Sequence, residues 1–308
     1  MSKAGRKDRD DRPDRSGEGR RAGACEFLVK TRIAVVIACH NRRDTTLRCL
    51  RSLHGEGSPN VTFDLFLLDD GSTDGTATAV LEEFPQTHIL PGTGNLFWGG
   101  GMRVAMQAAL GSQFDFMLWL NDDVVLRPRA IVRMLKAHDD ACSVSDNDLN
   151  VVVGCMQDPE TKLISYSGFL NSSRWHPTRL HKVVPSRSEP MTCDTLNGNL
   201  VLVPRIVVDR IGIIDAAFPY RLGDIDYGYR VLRAGGQVVV APGFAGYCGL
   251  EKRAGPPSGL LARIRYLGSS WEISFRPWLI FLWRYAGWLS LPLLIGIYGK
   301  ALLSRSSR

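Results

Sequence analysis

The chain has 308 residues, of which 44% are hydrophobic and 22% are charged, and its formal net charge is +7. This length and hydrophobic content indicate a mostly globular protein of one large or two small domains, and exclude a largely disordered chain. The excess positive charge is local, because residues 261–308 hold seven basic residues and one acidic residue, Glu272. These basic residues are interleaved with Trp and Leu, so we expect contact with an anionic membrane surface and not with nucleic acid.

The first 30 residues are predicted to be a disordered tail of mixed charge, because residues 1–24 contain almost nothing apolar. Seven cysteines are scattered without a Cys-x-x-Cys pair, and we find no pattern of a cleavable signal peptide. Together these features favour a reducing, cytoplasmic environment.

Strands and helices are predicted to alternate through the first half of the chain. Apolar runs predict strands at residues 33–39, 63–68, 88–90 and 114–120. We expect helices capped by Asp44, after residues 74–76, from the triple glycine at residues 99–101, and with Pro128 in the first turn. This alternation predicts a Rossmann-like α/β fold whose mostly parallel sheet has helices on both faces.

The second half is less regular in sequence. It predicts strands at residues 151–155, 163–166, 199–203 and 237–241, with a helix at residues 226–234. Residues 167–192 are rich in Ser, Arg, Pro and His, so we expect a loop that faces ligand or solvent, in which Trp175 is a candidate acceptor contact. We place one domain at residues 31–250 and a C-terminal helical segment at residues 251–308.

This C-terminal segment is apolar, aromatic and basic. Residues 278–298 carry a single charge, Arg284, while Arg263, Arg265 and Arg276 lie upstream. Helices lying in the headgroup layer are favoured; a single span and an ordinary core helix are the alternatives.

Three acidic clusters mark the candidate site. The first two directly follow predicted strands, and ligands of open α/β sheets bind beyond the carboxyl ends of the strands. Each acid could instead cap a helix or lie in a plain turn. The clusters are Asp69-Asp70, Asn121-Asp122-Asp123 and Asp224-Ile225-Asp226.

Taken together, the motifs resemble glycosyltransferase family 2, the inverting sugar-nucleotide enzymes of GT-A fold. The resemblance covers about residues 31–250 and is carried by the runs at residues 34–42, 68–76 and 120–123. The runs at residues 94–101 and 223–230 resemble the rhamnosyltransferase and galactofuranosyltransferase branch. The resemblance therefore implies a GT-A fold for this domain, and the apolar segment after it predicts C-terminal hydrophobic helices.

The same resemblance implies roles for individual residues. Asp224 is the expected general base, and Asp123 the expected ligand of Mg²⁺ or Mn²⁺, a hard cation that prefers oxygen donors. Asp226 and Trp175 are expected to contact the acceptor. The residues expected to bind the nucleotide sugar are Asn41, Arg42, Asp69, Asp70, Trp98, Gly99, Gly100, Asn121 and Asp122. For the glycines, tight helix packing is the alternative.

One position departs from the family pattern. The family often has a metal-binding His after the strand that follows the base helix, where this chain has Cys248. A thiolate is a poor ligand for Mg²⁺, so Asp123 and phosphate hold the metal with water, or the metal is softer, or the protein is inactive. His176 and His181 are candidate substitutes, although such loop histidines are more often solvated.

The expected function is that of a metal-dependent, inverting glycosyltransferase at the cytoplasmic face of the membrane, acting in cell-surface polysaccharide synthesis. It would move a sugar, of rhamnose or galactofuranose type, from a UDP- or dTDP-sugar to a hydroxyl of a glycan or lipid-linked acceptor. The alternatives are a polyprenyl-phosphate glycosyltransferase, favoured by the apolar tail, and an inactive sugar-nucleotide or glycan-binding protein, favoured by Cys248.

Overall fold

The structure, a computed structural model, describes residues 30–56, 58, 60–250, 259–269 and 274–303. The disorder predicted for residues 1–30 lies outside these ranges, apart from Lys30, which directly precedes the first strand.

A mostly parallel sheet forms the centre of the molecule. Its strands are β1 Thr31–Cys39, β2 Val61–Asp69, β3 His88–Pro91, β4 Phe116–Leu120, β5 Val125–Leu126, β6 Asn150–Gln157, β7 Ile164–Tyr166, β10 Met191–Cys193, β11 Leu200–Pro204 and β12 Gln237–Tyr247. A separate two-stranded hairpin consists of β8 Phe169–Asn171 and β9 Leu180–Lys182. The central order is β10-β12-β6-β11-β4-β1-β2-β3, in which β1 to β4 pair in parallel, as do β6 and β12.

Helices cover both faces of this sheet, as predicted. They are α1 Arg43–His54, α2 Thr76–Glu83, α3 Phe97–Ala109, α4 Ala130–Ser145, α5 Arg205–Ile211 and α6 Gly223–Arg233, followed by α7 Leu260–Ser269, α8 Phe275–Ala286 and α9 Ser290–Leu303. Successive side chains of β1 alternate between the two faces. Ile33 and Val35 pack with α1 and α4, whereas Ala34 and Val36 pack with α3 and α6.

Several local predictions were wrong. Asp44 is not the cap of α1; the helix begins at Arg43, whose backbone N–H donates to Asp74 Oδ2 at 3.0 Å. Pro128 lies two residues before α4 and not inside it, because Arg129 takes a left-handed conformation at φ 63°. The start of α1 therefore depends on a tertiary contact from Asp74, and the start of α4 depends on the backbone conformation of Arg129. Residue type alone shows neither.

The second half differs more from the prediction. Residues 167–192 do not form a simple loop, because β8, β9 and the start of β10 lie within them. Strand β11 runs antiparallel to both of its neighbours, β4 and β6. Helix α6 begins at Gly223 and not at residue 226, so that Asp224 lies in its first turn. These features depend on pairing between distant segments, which local periodicity does not report.

The C-terminal segment folds back on itself. Phe275–Leu303 has a mean hydropathy of 1.5 over its most apolar window and, by length and composition alone, could cross a membrane. In the structure it bends through a 3-10 turn at Gly287–Leu289, and the rings of Phe275 and Tyr298 lie 6.4 Å apart. Helices α8 and α9 therefore form an antiparallel hairpin, hereafter the C-terminal hairpin, and not one straight helix.

Candidate functional site

The first two acidic clusters meet at one edge of the sheet. Strands β1, β2 and β4 are parallel neighbours, so the polar residues that follow them emerge side by side. Strand β11 contributes from the opposite direction, because its first residue, Leu200, pairs with Leu120 at the end of β4. The residues just before β11 consequently lie at the same edge as those just after β4.

A cation and two carboxylates lie at the centre of this edge. Arg42 Nη1 donates to Asp122 Oδ1 at 3.1 Å and approaches Asp123 Oδ2 at 3.4 Å. Asp122 is 6% exposed, and burial raises its pKa to about 6, although Arg42 acts in the opposite direction. Asp123 is more open, with a third of its side chain exposed. The pair therefore combines a buried acid with one that is accessible to a ligand.

Cys248 lies against Asp123, where strand β12 leaves the sheet. Its thiol donates to Asp123 Oδ1 at 3.4 Å and accepts from the side-chain amide of Asn199 at 3.2 Å. Burial, together with the charge of Asp123, raises the pKa of Cys248 far above the usual thiol range. The thiol is therefore protonated and acts as a hydrogen-bond donor to the carboxylate.

The carboxylates at this edge can hold a hard divalent cation only if the substrate supplies the remaining ligands. Asp122 and Asp123 supply adjacent carboxylates, and Mg²⁺ is commonly held by one or two carboxylates together with substrate phosphates and water. Within the described parts of the chain, no group of three or more His, Cys, Asp or Glu residues converges on a common point. His176 and His181 both lie in or beside the β8–β9 hairpin, where His176 bonds to Thr178 at 3.1 Å.

Trp98 joins this cluster to the third acid. Its indole N–H donates to Asn121 Oδ1 at 2.7 Å. Its ring lies directly on Gly198, where an added Cβ would come within 2.3 Å of the ring and within 3.4 Å of Asp224 Cβ. Gly198 therefore allows the indole and the base candidate to flank the same point of backbone.

Asp224 is held by backbone donors in the first turn of α6. Its Oδ2 accepts from the N–H of Gly198 at 3.2 Å and from the side-chain amide of Asn197 at 3.4 Å, while Oδ1 accepts from the N–H of Ile225 at 2.9 Å. Burial raises the pKa of Asp224, and the backbone donors partly oppose that change. A carboxylate in such a setting is a stronger proton acceptor than one in water.

Sequence reasoning missed the segment Asn197-Gly198-Asn199. Asn197 and Gly198 contact Asp224, Asn199 contacts Cys248, and the Asn199 carbonyl accepts from the N–H of Asn121 at 2.9 Å. A polar Asn-Gly-Asn run directly before an apolar strand is the signal that could have revealed it. In the first half of the chain the polar residues follow their strands, whereas here they precede an antiparallel strand, so both sets lie at the same edge of the sheet.

Asp69 and Asp70 have different surroundings. Asp70 accepts from the N–H groups of Gly94 at 2.7 Å and of Leu96 at 2.8 Å, so it holds the loop before α3. Asp69 is 8% exposed and its Oδ1 accepts from the N–H of Ser72 at 2.9 Å. The structure thus gives Asp70 a role in holding the loop before α3, while the nucleotide contacts of Asp69 and Asp70 stay predictions.

Asn41 and the triple glycine are also occupied by the protein itself. Asn41 Oδ1 accepts from the N–H of Thr73 at 2.7 Å, which ties the loops after β1 and β2 together. An added Cβ at Gly99 would approach the carbonyl oxygen of Phe218 to 2.3 Å, whereas Gly100 has a nearest contact of 3.5 Å. Close packing against the loop before α6 therefore explains Gly99, and Gly100 lies at the same contact.

The acceptor contact expected of Asp226 conflicts with its position. Asp226 is 0% exposed, and its oxygens accept from Arg230 Nε at 2.8 Å, Arg284 Nη1 at 2.5 Å and the Tyr285 hydroxyl at 2.8 Å. The prediction followed from its nearness to Asp224 in sequence, but along a helix the two side chains point to different sides. Trp175, by contrast, is 60% exposed in the turn between β8 and β9.

Comparison with known proteins identifies the family. The sequence profile of glycosyl transferase family 2 matches residues 34–191, which is more than half of the chain and includes the first two acidic clusters. The chain belongs to glycosyl transferase family 2. The resemblance seen in the motifs is thereby confirmed.

A distant relative has an assigned activity. The chain is 25% identical over 202 residues to the N-acetylglucosaminyl-diphospho-decaprenol L-rhamnosyltransferase of Mycobacterium tuberculosis, in both strains CDC 1551 / Oshkosh and ATCC 25618 / H37Rv. The match spans 58% of this chain and 64% of the relative, so that about a third of the relative has no counterpart in it.

Solved structures confirm the GT-A fold. GalNAc-T7, solved with UDP, GalNAc and Mn²⁺, has a TM-score of 0.56 at 14% identity, over 88% of this chain and 55% of that one. Mannosyltransferase PcManGT of Pyrobaculum calidifontis, solved with GDP-Man and Mn²⁺, has a TM-score of 0.52 at 14% identity, over 89% and 71%. TarS 1-349 of S. aureus has a TM-score of 0.52 at 12% identity, over 89% and 81%.

Proposed function

We propose that this family 2 protein is an inverting glycosyltransferase that moves a sugar from a UDP- or dTDP-sugar to a hydroxyl group of a glycan or lipid-linked acceptor. The observation that carries the proposal is that Trp98 connects the two acidic regions. Its indole bonds to Asn121, the residue before Asp122-Asp123, and its ring packs on Gly198, whose N–H donates to Asp224. A donor diphosphate at the first pair would present its sugar toward the third acid.

The residues divide the reaction between them. Arg42 and Asp123 would hold the diphosphate end of the donor, the arginine directly and the carboxylate through Mg²⁺ or Mn²⁺. When bound, that cation supplies positive charge to the departing diphosphate. Asp69 would accept from the base of the nucleotide, and Trp98 would offer a flat face to the sugar or the acceptor.

Asp224 would act as the general base. As the acceptor oxygen bonds to the anomeric carbon, the bond from that carbon to the diphosphate oxygen breaks, and the acceptor proton passes to Asp224. One displacement from the side opposite the leaving group inverts the anomeric configuration. The raised pKa of Asp224 favours a hydroxyl acceptor over the polyprenyl-phosphate alternative, because a phosphate is already ionised and needs no base.

Several features support a rhamnose-type sugar and a lipid-linked acceptor in polysaccharide synthesis. The relative from Mycobacterium tuberculosis is named for L-rhamnosyl transfer to a diphospho-decaprenol acceptor. The motif at residues 223–230 resembles the same branch. Such an acceptor is membrane-bound, and the exposed aromatic residues of the C-terminal hairpin would bring the site to the bilayer.

We propose a peripheral, cytoplasmic membrane contact through this hairpin. Trp283, Trp288 and Ile295 are 66%, 77% and 72% exposed. Helices α8 and α9 have 12 and 14 residues, or about 18 and 21 Å, and neither alone reaches across a hydrocarbon core of about 30 Å. A hairpin lying in the headgroup layer, with Arg265 and Arg276 exposed nearby, accommodates these lengths.

A screen of nucleotide sugars tests the proposed function. Full-length protein with Mn²⁺ is first screened by thermal shift, where a donor at about 100 times its Kd adds roughly 2.7 kcal/mol of stability. The best donor is then incubated with a synthetic diphospho-polyprenyl acceptor that bears N-acetylglucosamine, with the acceptor lacking that sugar as control. Binding followed by transfer to the sugar-bearing acceptor supports the proposal. Binding without transfer or donor hydrolysis would favour the inactive binding protein.

A further inference from the structure

The C-terminal hairpin packs against the buried side of α6 and the segment that precedes it. We propose that Arg284 and Tyr285 of the hairpin are positioning residues for the candidate base, because they fix the helix on which Asp224 lies. This inference rests on the proposed function. It gives the hairpin a part in the reaction that a simple membrane anchor would not have.

The contact depends on a charge that is fully buried. Asp226 is 0% exposed and two residues after Asp224, and its neighbour within α6 is Arg230, one turn along the helix. Removing a carboxylate from water is strongly unfavourable unless ion pairs and hydrogen bonds replace the lost solvation. Arg284 and Tyr285 supply that replacement at Asp226 Oδ1, at 2.5 and 2.8 Å.

Arg284 also holds the segment that leads into α6. Its Nη2 donates to Asp215 Oδ2 at 2.9 Å, and its backbone oxygen accepts from Arg233 Nη2 at 2.6 Å. Asp215 and Arg233 lie before and at the end of α6, and Leu222 enters the helix in a left-handed conformation at φ 71°. One arginine of the hairpin thus connects the approach to α6 with its first turn and its last residue.

The acceptor side shares this arrangement. Tyr229 of α6 donates its hydroxyl proton to the Pro177 carbonyl at 2.8 Å, in the turn that carries Trp175. The Tyr229 ring packs on that of Tyr285 with centroids 4.8 Å apart. The hairpin, the base helix and the β8–β9 turn are therefore in continuous contact.

The donor-side carboxylates have other partners. Asp122 bonds to Arg42, and Asp123 bonds to Arg42 and to the Cys248 thiol, whereas Arg284 and Tyr285 bond to Asp226 on α6. Loosening the hairpin should therefore move Asp224 away from the acceptor hydroxyl without lowering the affinity for the sugar donor. A displacement of about 1 Å at a reacting group can lower the rate roughly 100-fold.

The test compares Arg284→Met and Arg284→Lys in the full-length protein with Arg205→Met. Arg205 forms an ion pair with Asp209 at 2.8 Å on α5. It follows β11 at the start of β4, the end of that strand opposite to the candidate site, so it controls for the loss of an arginine–aspartate pair. We expect Arg284→Met to lower kcat at least 10-fold across the pH profile, with donor affinity within twofold of the unchanged protein. Arg284→Lys should recover part of kcat, and Arg205→Met should have no effect.

A second variant guards against misfolding. Asp226→Asn combined with Arg284→Met removes the buried carboxylate that would otherwise lose its Arg284 partner, while still releasing the hairpin, and it should show the same selective loss of kcat. An unchanged kcat in either folded variant would overturn the proposal. So would an equal loss of donor affinity and kcat, because that pattern reports general damage.

Hydrogen–deuterium exchange separates failure of this inference from failure of the proposed function. If Arg284 positions α6, Arg284→Met should increase exchange at residues 211–226 and 176–178 by at least threefold, while residues 120–124 stay unchanged and Arg205→Met has no such effect. This outcome supports positioning even if no transfer is found with any donor. Unchanged exchange at residues 211–226 would contradict it.

Discussion

The two sides of the candidate site are built in different ways. On the donor side, Arg42, Asp122 and Asp123 directly follow parallel strands, so their positions depend on the regular pairing of β1 with β4. On the base side, Asp224 lies on a helix that is fixed by the loop at Gly198 and by the buried ion pair of Arg284 in the C-terminal hairpin. The donor side therefore depends mainly on strand pairing, whereas the base depends on contacts from two distant parts of the chain.

The largest expected effect is on the base side. Asp224→Asn keeps the side-chain shape but removes the proton acceptor, so kcat for transfer should fall by about 1000-fold, at the level expected for a general base. Donor binding, measured by calorimetry, should stay within twofold. Asp209→Asn, on the exposed surface of α5, is the matched control. More than a few per cent of residual transfer would assign the base elsewhere.

The donor side should respond in the opposite pattern. Asp123→Ala removes the accessible carboxylate, and we expect donor affinity in Mn²⁺ to fall about 100-fold, with a much smaller change in EDTA, because metal ligands contribute only when the metal is present. Titration of nucleotide under both conditions measures this difference. Equal losses with and without metal would remove the metal role from Asp123.

The raised pKa of Asp122 predicts that the stability of the protein without donor and metal depends on pH. Burial raises its pKa to about 6, so the unfolded carboxyl ionises first as the pH rises, and folding is progressively penalised between about pH 4 and pH 6. Asp122→Asn should therefore gain stability relative to the unchanged protein above pH 6, by up to about 3 kcal/mol, and lose that advantage near pH 4. Thermal unfolding from pH 4 to 8 measures it. Arg205→Met should show no such trend, and a constant difference for Asp122→Asn would contradict the account.

The smallest effect concerns the hairpin's outer surface. Trp283→Ser with Trp288→Ser should lower binding to anionic vesicles about 10-fold, because both rings are exposed and would insert at the interface. High salt should release part of the unchanged protein, since charge attraction is screened over about 8 Å at physiological ionic strength. Val144→Ser, at an 89% exposed position on α4, is the control. Equal pelleting of the double variant would contradict this contact.

The sequence could predict the features that depend on local patterns, but not those that depend on distant partners. The alternation of strands and helices, and the placement of Asp122 and Asp123 at a strand end, follow from local patterns, because a buried parallel strand is apolar throughout. The antiparallel β11, the β8–β9 hairpin and the capping of α1 by Asp74 depend on partners that are far away in sequence. Local patterns contain no information about such partners.

Within the site, sequence nearness misled where a helix intervened. Asp226 is predicted to contact the acceptor, yet it lies buried against Arg284, 58 residues later. Asp70 shows the same limit, since its oxygens accept from the backbone N–H groups of Gly94 and Leu96 in the loop before α3. Both residues carry the expected chemistry, but their partners, which no motif specifies, determine their role.

The anomeric configuration of the product tests the central claim most directly. That claim is that a single carboxylate, Asp224, faces the donor sugar from the side opposite its diphosphate. Proton NMR of the first product formed from a donor of defined configuration should show the inverted anomer. A product that retains the donor configuration would contradict the single displacement. It would also contradict the placement of the diphosphate and Asp224 on opposite sides of the donor sugar.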